Sequence, residues 1–195
     1  MFYGKWMDAP LTHAEYDTPF GALHVFADAQ GRVRASGFPD ALSIAAHLPS
    51  ALLEAGWSDS SLDHIEQAVS AWLAGDADAL ARVPVYQEGS AFRLRVWEAI
   101  RRVPGGTTMS YRDLAAAAGN PSAIRAAASA CGLNATAPFV PCHRIVSSGA
   151  KVGQYGFGGP AIKAAMLTLE AGGTRSQIDQ VLRTASALTA VPAGT

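Results

Sequence analysis

The chain is 195 residues long, 49% apolar and 16% charged, with 15 Lys and Arg against 16 Asp and Glu. That size and apolar content hold one large or two small domains around a real core and exclude a chain that needs a partner in order to fold. No run approaches the roughly 18 apolar residues of a membrane span, and two cysteines outside any Cys-x-x-Cys pair exclude a disulfide framework and argue against structural zinc.

The start, MFYGKWMDAPLTHAEY, lacks the basic segment and apolar stretch of a secretory signal, so a reducing cytoplasm and at least one free thiol are expected. The small net charge hides an asymmetry. Residues 1–90 carry 4 Lys and Arg against 12 Asp and Glu, residues 91–170 carry 9 against 3, and residues 171–195 carry 2 against 1. A basic module joined to an acidic one fits a polyanionic partner, because Lys and Arg displace counterions condensed on nucleic acid. A soluble protein of uneven surface charge accounts for the same numbers.

In chain order, residues 12–38 read as strands broken by turns at Thr18-Pro19-Phe20-Gly21 and Asp28-Ala29-Gln30-Gly31, an antiparallel meander. From Leu62 the apolar residues Ile65, Val69, Trp72 and Leu73 recur at helical spacing until Gly75, so the first half is expected to be α+β with a small antiparallel sheet and a helix. Ser90 is placed to cap a helix whose Phe92, Val96, Trp97 and Ile100 share one face, and Val103-Pro104-Gly105-Gly106 ends it. Ser110 and Asp113 have capping-box spacing at the start of a further helix, with Gly119 suited to the left-handed residue past its end. Asn120 and Pro121 then suit the N-cap and first position of the next helix, giving two short helices joined by a tight turn. That pattern is a helix-turn-helix or a plain helical hairpin. The tail from Thr174 places Ile178, Val181, Leu182 and Ala185 on one helical face before it frays through VPAGT. The expected organisation is an α+β domain over 1–90, a mostly helical domain over 91–172 and a tail over 173–195.

The most reactive stretch is FVPCHRIVSSG, Phe139 to Gly149, in which a thiol, Cys142, precedes an imidazole, His143, and a guanidinium, Arg144. An isolated thiol is only a few per cent ionised at neutral pH. Arg144 offers a fixed positive charge, and His143 could accept the proton directly or through water if a third group orients it. By themselves, adjacent Cys and His are more often incidental than catalytic.

Pro141-Cys142-His143-Arg144, preceded by Asn134 and followed by GQYGFGG (Gly153 to Gly159), resembles the O6-alkylguanine-DNA alkyltransferase family. The likeness covers much of residues 90–172, including VPGGTTMSYRDLAAAAGNPSAIRAAASACGLN, and is weaker over YDTPFGALHVFA (Tyr16 to Ala27). The resemblance implies direct reversal of DNA damage. Cys142 would take the alkyl group from guanine O6, with thymine O4 as a further possible substrate, and keep it as a thioether, so the protein is a self-inactivating methyltransferase. It implies a relay from Cys142 through water to His143 and Glu170, with Asn134 bracing the turn before the cysteine and Tyr111 donating to the flipped base. Arg125 would enter the base stack in place of the extruded nucleotide, and Ser122, Ala126 and Ala127 would lie against the DNA backbone. Pro138, Phe139 and Val140 would wall the pocket opposite Tyr155, Gly156 and Phe157, where Phe157 stands in a part of the loop that varies in the family. The family often follows the asparagine with proline, whereas here Ala135-Thr136-Ala137 precedes Pro138, which implies a less rigid turn.

The implied partner is duplex DNA bearing alkylated guanine, bound by a chain that is monomeric when free, with no membrane and no cofactor. His13, His24, His47 and His64 have no ligand spacing and residues 1–90 hold no cysteine, so no metal is expected. Cys131 reads as a small core residue. One alternative is a lesion-binding protein without transfer, although alkyltransferase-like proteins replace the acceptor cysteine. Another is a thiol hydrolase using Cys142 and His143.

Overall fold

Strands β1 (Leu11–Thr18), β2 (Gly21–Ala27) and β3 (Val33–Gly37) form the antiparallel meander that the turns foretold. The first turn closes where Thr18 Oγ1 accepts from Phe20 N at 3.1 Å and donates to Gly21 O at 2.6 Å. At the second, the Asp28 carboxylate accepts from Gln30 N and Arg32 N. The structure, a computed structural model, describes residues 10–147, 149 and 152–189.

Helices α1 (Ala41–Ala45) and α2 (Ser50–Ala55) lead to β4 (Trp57–Asp59), which pairs parallel with β1. The sheet order is therefore β3-β2-β1-β4, and the sheet is mixed where the sequence suggested an antiparallel one. A three-residue edge strand is too short to show an alternating pattern, so nothing in the sequence announces it. Helix α3 (Asp63–Leu73) buries Ile65, Val69 and Trp72.

In the second half, Ser90 caps α4 (Ala91–Arg101) by accepting from Arg93 N. Ser110 caps α5 (Tyr111–Ala117) by accepting from Asp113 N at 3.2 Å, and its hydroxyl also bonds the Asp113 carboxylate. Gly119 follows at φ +81°, the left-handed conformation that a side chain would resist. Helix α6 (Ile124–Gly132) starts later than the sequence suggested, with Ala123 and not Asn120 at its N-cap. The Asn120 side chain bonds the Ser122 hydroxyl at 2.8 Å, and residues 120–123 close as a turn through Ala123 N to Asn120 O at 3.0 Å. Asn120 therefore shapes the turn between the helices and leaves the second helix without a side-chain cap.

A two-residue strand, β5 (Met109–Ser110), pairs parallel with β6 (Ile145–Val146) and ties the start of α5 to the residues just after Cys142. Helix α7 (Gly159–Glu170) contacts the turn Cys142–Arg144 and packs on α8 (Arg175–Thr189). Ile178 of α8 is buried, with Val181 and Leu182 partly buried against the core, so the tail docks on the body. The Ala185 side chain and residues 190–195, also singled out in the sequence, lie outside the described residues.

One apolar core runs from Leu23, Val25 and Trp72 to Ile100, Phe139 and Met166, crossing position 90. The two halves are also bonded, with Ser36 N donating to Ala135 O and Ser36 Oγ to Ala137 O, both at 2.8 Å. Among the described residues no helix is long and apolar enough to cross a membrane.

Candidate active site

Cys142, His143 and Arg144 form a single 3-10 turn ahead of β6, and all three are buried. Asn134 at the end of α6 holds that turn. Its Nδ2 donates to Val140 O at 2.8 Å and lies 3.1 Å from Cys142 Sγ, while its Oδ1 accepts from Thr136 N at 3.1 Å. The intervening loop lacks a proline after Asn134 yet is not loose, because Gln87 accepts from Ala135 N at 2.8 Å and Ser36 bonds both Ala135 and Ala137. Those bonds do the bracing that the sequence assigned to a missing proline ring.

His143 donates from Nε2 to Glu170 Oε1 at 2.9 Å. With that nitrogen carrying the proton, Nδ1 of the neutral ring is an acceptor, and it is buried with no hydrogen-bond partner among the described protein groups. Glu170 also receives Trp72 Nε1 at 3.1 Å, Arg144 Nε at 2.8 Å and Arg144 Nη2 at 3.0 Å. Burial alone would raise the Glu170 carboxyl, but the neighbouring His143 and Arg144 outweigh it and bring it down to about 2. Glu170 is thus an ionised orienter whose charge is shared between the imidazole and the guanidinium.

Arg144 does not play the part that its place beside the thiol suggested. Its guanidinium grips Glu170 and Asp78 and donates to Val103 O and Ala77 O, so its charge goes to the carboxylate that holds His143. The cation whose field reaches the sulfur is Lys163 of α7, 1% exposed, whose Nζ donates to Ile145 O. Burial pushes the Cys142 thiol above its ordinary range, while the Asn134 N–H and the Lys163 charge pull the other way without cancelling it. The resting thiol is protonated, and Asn134 and Lys163 lower the cost of ionising it.

Cys142 opens on a cavity of about 390 Å³ also lined by Tyr111, Cys131, Gly153, Tyr155, Phe157 and Lys163. Tyr111 reaches it because the β5–β6 pair sets the first residue of α5 beside the cysteine turn. Burial raises the Tyr111 hydroxyl, with Cys131 and Cys142 adding to the effect, so the group stays a donor. Gly156 lines the same cavity, whereas Pro138, Phe139 and Val140 do not. Those three are packed into the core, and an apolar run beside a nucleophile does not reveal which of its sides faces the opening. Phe157 is held from outside, its ring 5.7 Å from that of His47 and 5.6 Å from that of Tyr155. Gly37 permits this, since a Cβ there would stand 2.6 Å from the Phe157 ring. A larger recess of about 640 Å³ between α8 and the β1–β2 turn contains no thiol or histidine.

On α6, Arg125 and Ala126 are exposed, as is Ser122 in the preceding turn. Ala127, which the sequence grouped with them, has no exposed surface and packs in the core, because every third or fourth position of α6 must face inward. Ala128 of the same helix lines the Cys142 cavity, so α6 joins the exposed arginine to the thiol within one turn.

Residues 91–172 match the family described as 6-O-methylguanine DNA methyltransferase, DNA binding domain. The chain belongs to the O6-alkylguanine-DNA alkyltransferase family. It is 36% identical over 110 residues to the constitutive methylated-DNA–protein-cysteine methyltransferase of Bacillus subtilis, covering 56% of this chain and 66% of that one. The mouse methylated-DNA–protein-cysteine methyltransferase is 42% identical over 87 residues, covering 45% of this chain and 41% of its own. The chain therefore spans less than two thirds of the length of these relatives. A Mycobacterium tuberculosis OGT solved in complex with DNA superimposes with a TM-score of 0.71 at 28% identity, covering 88% of this chain and 98% of that one. The shared fold is α+β, with a small mixed sheet and helices.

Three groups at this site escaped the sequence reading. Lys163 had a signal, since it shares the buried face of α7 with Met166 and Glu170, three and seven residues on, and a charge on an apolar stripe asks for a reason. Trp72 read as core, and its indole's partner lies 98 positions away. Gln87 stands in an irregular segment with no pattern around it.

Proposed function

We propose that this protein repairs alkylated duplex DNA by a single direct reversal. Cys142 Sγ attacks the alkyl carbon on guanine O6, or thymine O4, forming a C–S bond as the C–O bond breaks. The electron pair of that bond leaves with the base, which ends protonated and intact. His143 takes the thiol proton, with a water between Sγ and Nδ1, and Glu170 holds the imidazole's orientation and offsets its new charge. Tyr111 donates to the base as it departs. The product thioether is neutral and offers no route to hydrolysis, so each molecule acts once.

A guanine stacked in a duplex cannot reach a buried sulfur and has to be turned out. Arg125 fills the gap in the stack, and Ala126 and Ser122 meet the backbone. The basic charge of residues 91–170 supplies the non-specific attraction. A free thiol acceptor fits a reducing, cytoplasmic setting and a chain that works as a monomer.

The observation that carries the reading is a buried cysteine, hydrogen-bonded by an asparagine and lining a cavity with Tyr111 of α5 and Ala128 of α6, the helix on which Arg125 is exposed one turn earlier. Incubation with duplex DNA containing O6-methylguanine should add one methyl group to the intact protein, mapped to the Cys142 peptide. Cys142→Ala should bind the same duplex and gain nothing. DNA binding by the wild type without any mass change would return the lesion-binding reading, and repeated turnover on an ester would return the hydrolase.

A further inference from the structure

The Asn134 amide touches five groups, and which of its ends faces the sulfur matters. With Nδ2 toward Sγ an N–H dipole stabilises the developing thiolate; with Oδ1 there a carbonyl would oppose it. The two ends are nearly the same size, so shape does not choose between them. Hydrogen-bonding character does.

Val140 O accepts from Nδ2 at 2.8 Å and Thr136 N donates to Oδ1 at 3.1 Å. Thr136 Oγ1, 3.3 Å from Oδ1, could donate or accept and so decides nothing. The remaining partner is Gln87 Nε2, 3.1 Å from Oδ1. Gln87 is itself fixed, because its Oε1 accepts from Ala135 N at 2.8 Å and its NH2 is thereby turned toward Asn134. The segment between η-turn Leu80–Arg82 and α4 thus delivers a donor of set direction to the group that touches the nucleophile.

We infer that Gln87 is a positioning residue for transfer to Cys142, holding the Asn134 amide with its NH2 toward the sulfur. The inference rests on the reading of Cys142 as the acceptor, and it reaches the sulfur only through Asn134. Replacement by Met keeps the length and removes the donor. Replacement by Glu sets a carboxylate against Oδ1, which favours the opposite amide orientation.

The test is the rate of Cys142 alkylation by iodoacetamide from roughly pH 6 to 10, read by intact mass and peptide mapping, alongside transfer from O6-benzylguanine. In Gln87→Met the midpoint of the iodoacetamide profile should move upward and the rate near neutral pH should fall about threefold. In Gln87→Glu the shift should be larger, with a fall of about tenfold. The Met variant carries no charge, so its shift separates amide orientation from simple repulsion of the thiolate, and it decides the matter alone if the Glu variant does not fold. A lowered melting temperature with the wild-type midpoint in the Met variant would mark Gln87 as merely structural and overturn the inference. If the wild type takes no group from alkylguanine while the iodoacetamide midpoint still moves, the proposed function fails and the role in transfer with it, while the hold of Gln87 on the Asn134 amide stands.

Discussion

The buried cluster around Glu170 and the exposed start of α6 at Arg125 are built on opposite rules. Both Glu170 oxygens are buried and held, receiving Trp72, His143 and two nitrogens of Arg144. Around Arg125 the surface is exposed and bordered by small side chains, Ala126 and Ser122. In the first region the proposed chemistry and the folding share the same bonds. In the second, the proposed recognition rests on Arg125, an exposed side chain at the start of α6. The two regions should therefore answer mutation differently, one losing stability and activity together and the other losing activity alone.

The sharpest way to break that comparison is Glu170→Ala. It would leave Arg144, 1% exposed, without its main counter-charge, a loss of about 3–5 kcal/mol and a fall in melting temperature of roughly 10 °C, with transfer abolished. Differential scanning calorimetry and intact mass read the two losses. The same carboxylate has a pH signature. Its folded-state value, about 2 against an ordinary 4.5, is depressed, so its stabilisation is fully present above 4.5 and is lost as pH falls toward 2. Urea unfolding at about pH 6 and about pH 3 should differ by an increment of about 2 kcal/mol that disappears in Glu170→Gln.

Arg125→Ala tests the other region. Melting temperature should stay where it is, since exposed substitutions fall within about 0.5 kcal/mol. Transfer from duplex O6-methylguanine should drop about a hundredfold, the equivalent of the few kcal/mol that turning out a base costs, while transfer from free O6-benzylguanine stays nearly unchanged. Equal losses on the two substrates would remove Arg125 from the flipping step.

How far each region was legible in the sequence follows from the same contrast. The starts of α4 and α5 were readable because Ser90 and Ser110 bond backbone N–H groups three residues on, a local interaction that leaves a local pattern. The start of α6 was misread because Asn120 fits a cap, and only the competing bond to Ser122 shows that it shapes a turn instead. The Cys142, His143 and Glu170 set came from family resemblance. The surrounding bonds, Trp72 to Glu170, Gln87 to Asn134 and Arg144 to Ala77, join residues 47 to 98 positions apart and leave no periodic trace. Ala127 and Phe139 were misplaced for a related reason: a residue's neighbourhood to a functional group does not fix the face on which it lies.

Lys163 belongs to the buried region by location and to the reaction by its field. In Lys163→Met the Cys142 thiol loses the cation that offsets its burial, so the alkaline limb of the transfer profile should move upward and the rate at neutral pH should fall about tenfold, one unit's worth. Removing a buried ammonium in favour of an apolar chain of similar length should leave the melting temperature level or raise it. A loss of stability as large as that of Glu170→Ala would instead place Lys163 among the groups on which the fold depends.

Tyr155 offers the finest discrimination, because it is buried as Glu170 is and yet its hydroxyl is held by no protein group described. Its hydroxyl has no hydrogen-bond partner among the described protein groups, although it lines the Cys142 cavity, and burial raises its ionisation well above the ordinary phenol range. A buried hydroxyl without a protein partner is a cost to the fold, and such costs are kept where function uses the group. Tyr155→Phe should therefore stabilise the protein by about 1 kcal/mol, a rise of roughly 3 °C, while slowing transfer from alkylguanine by a few fold. Both signs are needed: a variant that melts higher and transfers as the wild type does would make the hydroxyl a structural accident, and one that melts lower would mean that the fold holds it after all.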